Sequence, residues 1–149
     1  MSLIAPADQE KLRDAFGEMT SPVRLVFFTQ TLGCETCLQT RQILDELPPL
    51  SDKITIEEVN LVLEGDKAKQ YGIDRVPAIA LVSSQDGPAG PTKDSRIRFL
   101  GTPAGYEFMS LIQAVLLVGG RPPSLTEENR KRITAVTTPV TMQVFTTPT

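Results

Sequence analysis

Val26-Phe27-Phe28-Thr29-Gln30-Thr31-Leu32-Gly33-Cys34-Glu35-Thr36-Cys37 is the stretch that decides how this chain folds. Its apolar, β-branched and aromatic start reads as a buried strand, which leads through a short polar turn into two cysteines. The residues after the cysteines have helical periodicity. The chain contains 2 cysteines in all, and both are here. A thiol placed where a strand hands over to a helix lies at the positive end of the helix dipole, beside backbone N–H groups without partners. That setting favours thiolate, the nucleophilic form of the side chain. The stretch therefore predicts a redox-active dithiol.

Composition narrows the alternatives. At 149 residues the chain can form one domain with a real core, burying roughly 70% of its unfolded surface. The net charge is −3, the isoelectric point is about 5.0, and no basic block stands out, so nucleic acid is not an expected partner. The most continuous apolar run, Ala114 to Val118, is far too short to span a membrane. Met1-Ser2-Leu3-Ile4-Ala5-Pro6 lacks the basic flank and apolar centre of a signal peptide. The expectation is a cytoplasmic protein with no membrane partner. Two cysteines do not make a disulfide scaffold in a chain of this length. The absence of histidine removes Cys–His and Ser–His couples and any Cys₂His₂ zinc site within one chain. No metal is expected, since a structural zinc would need a symmetric dimer sharing both cysteine pairs.

Taken in order, residues 7–19 read as a helix capped by Asp8, with Leu12, Phe16 and Met19 on one face. Val23 to Thr29 is a strand buried on both faces. A helix from Glu35 to Leu47, with Leu38, Ile43, Leu44 and Leu47 apolar, stops at Pro48-Pro49. Ile54 to Leu61 is a second strand, and its change of parity at Val59 and Leu61 suggests a bulge. A short helix over Glu64 to Tyr71 ends at Gly72. Strands at Ala78 to Ser83 and Ser95 to Leu100 flank an exposed turn spanning Ser84 to Pro91. Thr102-Pro103 reads as the start of a helix whose Phe108, Leu111, Ile112, Val115 and Leu116 match the amphipathic template. Gly119-Gly120 ends it. The order α-β-α-β-α-β-β-α indicates an α/β fold with a mixed sheet and helices on both faces.

The remaining residues repeat the beginning. Ser124-Leu125-Thr126-Glu127 reads as a capping box opening a short helix, Thr138-Pro139 breaks it, and Val140 to Phe145 reads as another strand. At the offset from Phe16 to Ile133, a shift of 117, Met19 falls on Val136, Pro22 on Pro139, Val23 on Val140 and Phe28 on Phe145. Helix, break and strand recur in one order, which is an internal-repeat signal. The expected division is a domain over residues 1–120 and, over 121–149, a connector helix with the first strand of a second unit.

Three segments together carry a family resemblance: the strand-to-CxxC junction ending at Cys34 to Cys37, Tyr71-Gly72-Ile73-Asp74-Arg75-Val76-Pro77-Ala78, and Gly101-Thr102-Pro103-Ala104-Gly105-Tyr106-Glu107-Phe108. The chain resembles the thioredoxin superfamily, and more closely its two-unit, glutaredoxin-like protein disulfide oxidoreductases. The resemblance implies a thioredoxin fold, a central mixed four-stranded sheet flanked by helices, here with an extra N-terminal helix and a C-terminal helix-strand extension. It implies thiol–disulfide exchange with protein substrates and a reductase, with no cofactor beyond the Cys34–Cys37 disulfide. Cys34 would be the exposed nucleophile and Cys37 the inward-facing resolving thiol. Pro77 would be cis, and Val76 would offer its backbone to an extended substrate, with Gly101 lining the same groove. The spacer Glu35-Thr36 is neither the Gly-Pro of thioredoxins nor the Pro-Tyr of glutaredoxins, and Phe28 stands where thioredoxins carry a buried acid. The Glu35 carboxylate suits the helix dipole by about 0.5 kcal/mol, yet it opposes a thiolate at Cys34 by Coulomb repulsion. Glu35 and Thr36 are therefore the expected tuning residues. A second function class is a redox-inactive or partner-specific docking or electron-relay domain of a larger two-unit protein, for example one serving a peroxidase. The strand at Val140 to Phe145 is expected either to join the sheet edge of its own chain or to pair with a neighbouring one, giving a homodimer.

Overall fold

The computed structural model describes residues 2–85 and 90–147. Its organising element is β1 (Val23–Thr29), which pairs in parallel with β2 (Ile54–Asn60) and antiparallel with β3 (Ala78–Ser84). An antiparallel β4 (Thr92–Leu100) completes a mixed four-stranded sheet in the order β2-β1-β3-β4. Side chains alternate across β1 as a pleated strand requires. Val23, Leu25 and Phe27 enter the larger core, whereas Val26 and Phe28 enter the smaller one on the opposite face.

The larger core is closed by three helices: α1 (Pro6–Gly17), α2 (Cys37–Asp45) and α4 (Tyr106–Val118). They contribute Leu12 and Phe16, Leu44, and Leu111, Ile112, Val115 and Leu116. The short α3 (Gly65–Gln70) covers the other face with Ala68, backed by Ile73. Phe28 meets the Tyr71 ring there edge-on at 5.7 Å. The α/β class, the mixed sheet and helices on both faces are as the sequence indicates.

Several details differ from the sequence reading. Helix α1 begins at Pro6 after Ala5, which leaves Asp8 in the first turn and not at the cap. The change of parity in β2 is not a bulge, because β1 and β2 pair one to one from Val23↔Ile54 to Thr29↔Asn60. Ile54 and Ile56 pack into one core and Val59 and Leu61 into the other. A strand covered on both faces needs no single apolar parity. The irregularity lies instead between β3 and β4, where Ala80 faces Arg98 and Val82 faces Asp94. The extra β4 residues include Arg96, which takes a left-handed φ of 63°. Asp94 stabilises this bulge: its carboxylate accepts from the Arg96 N–H at 2.8 Å and from the Arg98 guanidinium at 2.6 Å.

Helix α4 starts at Tyr106, three residues beyond Pro103, because Gly105 at its N-cap has a φ of +58° that breaks the helical path. In the expected exposed turn, residues 86–89 lie outside the described residues. Helix α5 (Glu127–Thr134) is capped by Thr126, whose hydroxyl accepts from Asn129 N–H at 3.2 Å, so the box proposed at Ser124 is displaced by two residues. Residues 140–145 form no strand: among the described residues the sheet has four strands, and Val140, Met142, Val144 and Phe145 are exposed. Strand propensity is a fit to a pleated, half-buried surface, and the two sheet edges here carry Glu57, Glu58, Lys93, Asp94 and Arg98, charges that discourage strand addition.

Leu44→Ala, which empties a fully buried site, should cost about 3 kcal/mol in urea unfolding, while Leu38→Ala, at 71% exposure, should change stability by no more than about 0.5 kcal/mol. The Arg98 hydrogen bond holds the Asp94 carboxyl below its usual range. A carboxylate with a depressed folded-state pKa stabilises above its unfolded pKa and loses that contribution as pH falls through the folded value. Asp94→Asn should therefore lower the melting temperature at neutral pH and converge with the wild type in acid; a constant difference at every pH would contradict this.

Candidate active site

Strand β1 ends at Thr29, and residues 30–36 turn into α2, with Gly33 in a left-handed conformation at φ +75°. The helix expected from Glu35 begins only at Cys37, so Cys34 lies in the turn and Cys37 is the first helical residue. The two sulfurs are bonded, with the Cα atoms 5.5 Å apart. Cys37 is 6% exposed and belongs to the larger core; Cys34 is half-buried and packs against that core. Thr36 stands at the N-cap without making a side-chain cap, so the first N–H groups of α2 carry no protein cap of that kind at the dithiol.

The Val76–Pro77 peptide bond is cis. Pro77 is buried, and half-buried Val76 packs against both cores, including the one that holds Cys34 and Cys37. Gly101, at φ +108°, donates its N–H to the Pro77 carbonyl at 2.9 Å. The register, with Ala78 opposite Leu100, extends naturally to this pair. The dithiol turn, the Val76–Pro77 turn and the Gly101 loop thus converge on one end of the larger core. Glu35 and Thr36 are exposed beside them, and Asp74 and Arg75 pair with each other at 2.8 Å in full solvent.

The sequence reading missed two groups. Thr40, fully buried, lies on the apolar stripe of α2 with Cys37 and Leu44, and its hydroxyl is 2.8 Å from that of Thr102. A hydroxyl at a core-facing position is the signal that points to Thr40, whereas the sequence around Thr102 suggests a helix cap and hides its partner. Leu32, Val62 and Leu63 are the second group. They are strongly exposed apolar residues, in the loops that follow β1 and β2, at the sheet end where the dithiol lies. Among the described residues, no group of three or more Cys, Asp or Glu side chains is placed to hold a metal ion, and no helix is long and apolar enough to cross a membrane.

Comparison with known proteins places this geometry. No protein-family model matches the chain. The N-terminal domain of alkyl hydroperoxide reductase AhpF from Enterococcus faecalis superposes with a TM-score of 0.75 at 30% identity, over 87% of this chain and 59% of that one. The chain belongs to the thioredoxin superfamily. An alkyl hydroperoxide reductase polypeptide of Xanthomonas campestris pv. phaseoli is 36% identical over 86 residues, 58% of this chain and 13% of that protein. A probable thioredoxin of Methanothermobacter thermautotrophicus is 29% identical over 80 residues, 53% of this chain and 80% of that protein. The chain spans 12–13% of the length of the first curated relatives it matches. In this thioredoxin-like domain the redox group is the cysteine pair itself, and oxidoreductase activity is the chemistry it supports.

The exposed Glu35 carboxylate is adjacent in sequence to Cys34, so Glu35→Gln should raise the rate at which iodoacetamide alkylates reduced Cys34 at neutral pH. An equal or lower rate would show that the carboxylate is merely a solvated surface charge.

Proposed function

We propose that the protein is a thiol–disulfide oxidoreductase acting on protein substrates through Cys34-Glu35-Thr36-Cys37. The observation that carries this reading is the asymmetry of the pair, with Cys34 half-buried at the turn and Cys37 within the core. The reduced Cys34 thiolate attacks one sulfur of a substrate disulfide and expels the other as a thiolate, which takes a proton from water. The Cys37 thiolate then attacks the Cys34 sulfur, closes the intramolecular disulfide and releases the second substrate thiol. Two electrons pass to the substrate, and a reductase restores the dithiol. Val76 offers backbone N–H and C=O to an extended substrate segment, with Pro77 and Gly101 shaping its groove and Glu35 and Thr36 tuning the thiol. Leu32, Val62 and Leu63 supply an apolar rim suited to a protein partner. A cytoplasmic setting and a glutaredoxin-like subtype belong to this reading.

A second reading, a relay domain within a larger two-unit protein, is favoured by the likeness to AhpF, of whose N-terminal domain this chain covers 59%. In it, residues 1–120 form one unit, and 121–149 form the connector and the first strand of the next. Residues 122–147 are exposed throughout, consistent with a segment that packs elsewhere. Val140–Phe145 then pairs with a neighbouring unit or, in isolation, with a second copy of the chain.

Turnover of insulin with dithiothreitol as reductant separates the two readings: general exchange gives precipitation of the insulin B chain, whereas a partner-specific relay gives none. For the exchange reading, Cys34→Ser should fall to the uncatalysed rate, and Cys37→Ser should accumulate a mixed disulfide on non-reducing gels. Light scattering tests the tail, with a dimer lost on removal of residues 138–149 as the expected result; a monomer before and after would exclude the homodimer.

A further inference from the structure

Of the described residues, Thr40 and Ser84 are the polar ones buried in the core. The Thr40 hydroxyl lies 2.9 Å from the carbonyl oxygen of Thr36, inside the cysteine spacer, and 2.8 Å from the Thr102 hydroxyl. A carbonyl cannot donate. The Thr40 proton therefore goes to Thr36, and Thr102 donates to Thr40, the one arrangement that satisfies both contacts. Thr102 follows Gly101, whose N–H donates to the Pro77 carbonyl at 2.9 Å. A single path of hydrogen bonds and short backbone thus runs from the cysteine spacer, across two hydroxyls, to the cis-proline turn. The three segments it joins come from three distant parts of the sequence.

Valine would fill the volume of Thr40 equally well on an otherwise apolar stripe. The hydroxyl adds a directional restraint. If the 101–102 loop moved away from α2, a buried hydroxyl would lose a partner that water cannot replace, so displacement of the loop is penalised. Because Gly101 is bonded to Pro77, the same restraint reaches the backbone of Val76. Small errors of placement matter where a reacting group and a bound substrate must be aligned.

We propose that Thr40 and Thr102 are positioning residues that set the separation between the dithiol and the Val76–Pro77 edge, and so select for extended protein disulfides. The proposal rests on the exchange reading. It distinguishes two kinds of substrate: a protein disulfide needs the dithiol and the edge together, whereas a small aromatic disulfide such as Ellman's reagent needs only the dithiol.

Thr40→Val should raise KM for insulin roughly threefold to tenfold, the worth of one ordinary hydrogen bond, while leaving the rate with Ellman's reagent and the melting temperature near wild type. Thr40→Ser should restore the wild-type KM. Thr102→Val should reproduce the defect, and the double valine variant should be no worse than either single one, because both remove the same link. The proposal is overturned if both substrates slow together, if neither changes, or if the two valine substitutions are additive. Wild-type protein inert toward both disulfides would instead remove the exchange reading itself.

Discussion

Strand β1 is buried on both faces and hydrogen-bonded along both edges, and the rest of the molecule is built around that constraint. Phe27 and Phe28, adjacent in sequence and both fully buried, point into opposite cores. A slip of one residue would exchange them, together with every other side chain on the strand. The register is therefore fixed at the end of the strand from which the cysteine turn departs. The dithiol inherits its position from the most constrained backbone in the chain.

From this position the two cysteines are placed in different surroundings although only two residues separate them. Cys37 opens α2 and points into the core; Cys34 remains in the turn, half-buried. Cys34 is the more exposed residue of the pair, which accords with the proposed attack by Cys34 and resolution by Cys37. Short polar links join the 101–102 loop to α2 and to the cis-proline turn, Thr102 to Thr40 and Gly101 to Pro77. On the surface, ion pairs join β1 and α3 to β2, with Arg24 3.6 Å from Glu57 and Lys67 bonded to the same carboxylate. The hydrogen bond that Lys67 donates to Glu57 is the main influence that raises the Lys67 pKa above its ordinary value, although the pair is partly exposed and screening limits what it adds to stability.

The C-terminal segment shows how far local pattern can go. Val140 to Phe145 repeats the first Val and the last Phe of the β1 core run at the same spacing and follows a similar proline break, yet it stays exposed and outside the sheet. Just beyond it, the Thr146 hydroxyl lies 2.5 Å from a Glu107 carboxylate oxygen. The amino acids are those of a central strand, and what is missing is a neighbour on either side. Two partners with free N–H and C=O groups made β1 a strand; among the described residues no such pair adjoins residues 140–145.

The α/β class, the four strands and the dithiol were legible from sequence because each rests on a local signal: β-branched runs, proline and glycine punctuation, and a cysteine spacing that needs no distant residue. Leu111, Ile112, Val115 and Leu116 were legible for the same reason, since helical periodicity is written in the chain. What tertiary structure alone decided depends on contacts between segments far apart. The apparent parity change in β2 turned out to be two covered faces, the bulge belonged to β4 opposite the step from Ala80 to Val82, and Leu38 faced solvent although Cys37, Thr40 and Leu44 on α2 faced the core. Thr40 gained its partner from a residue 62 positions away. A residue's own chemistry and spacing can announce a strand, a helix or a thiol pair, but burial on a given face and a hydrogen bond across the fold exist only once the opposing surface is in place.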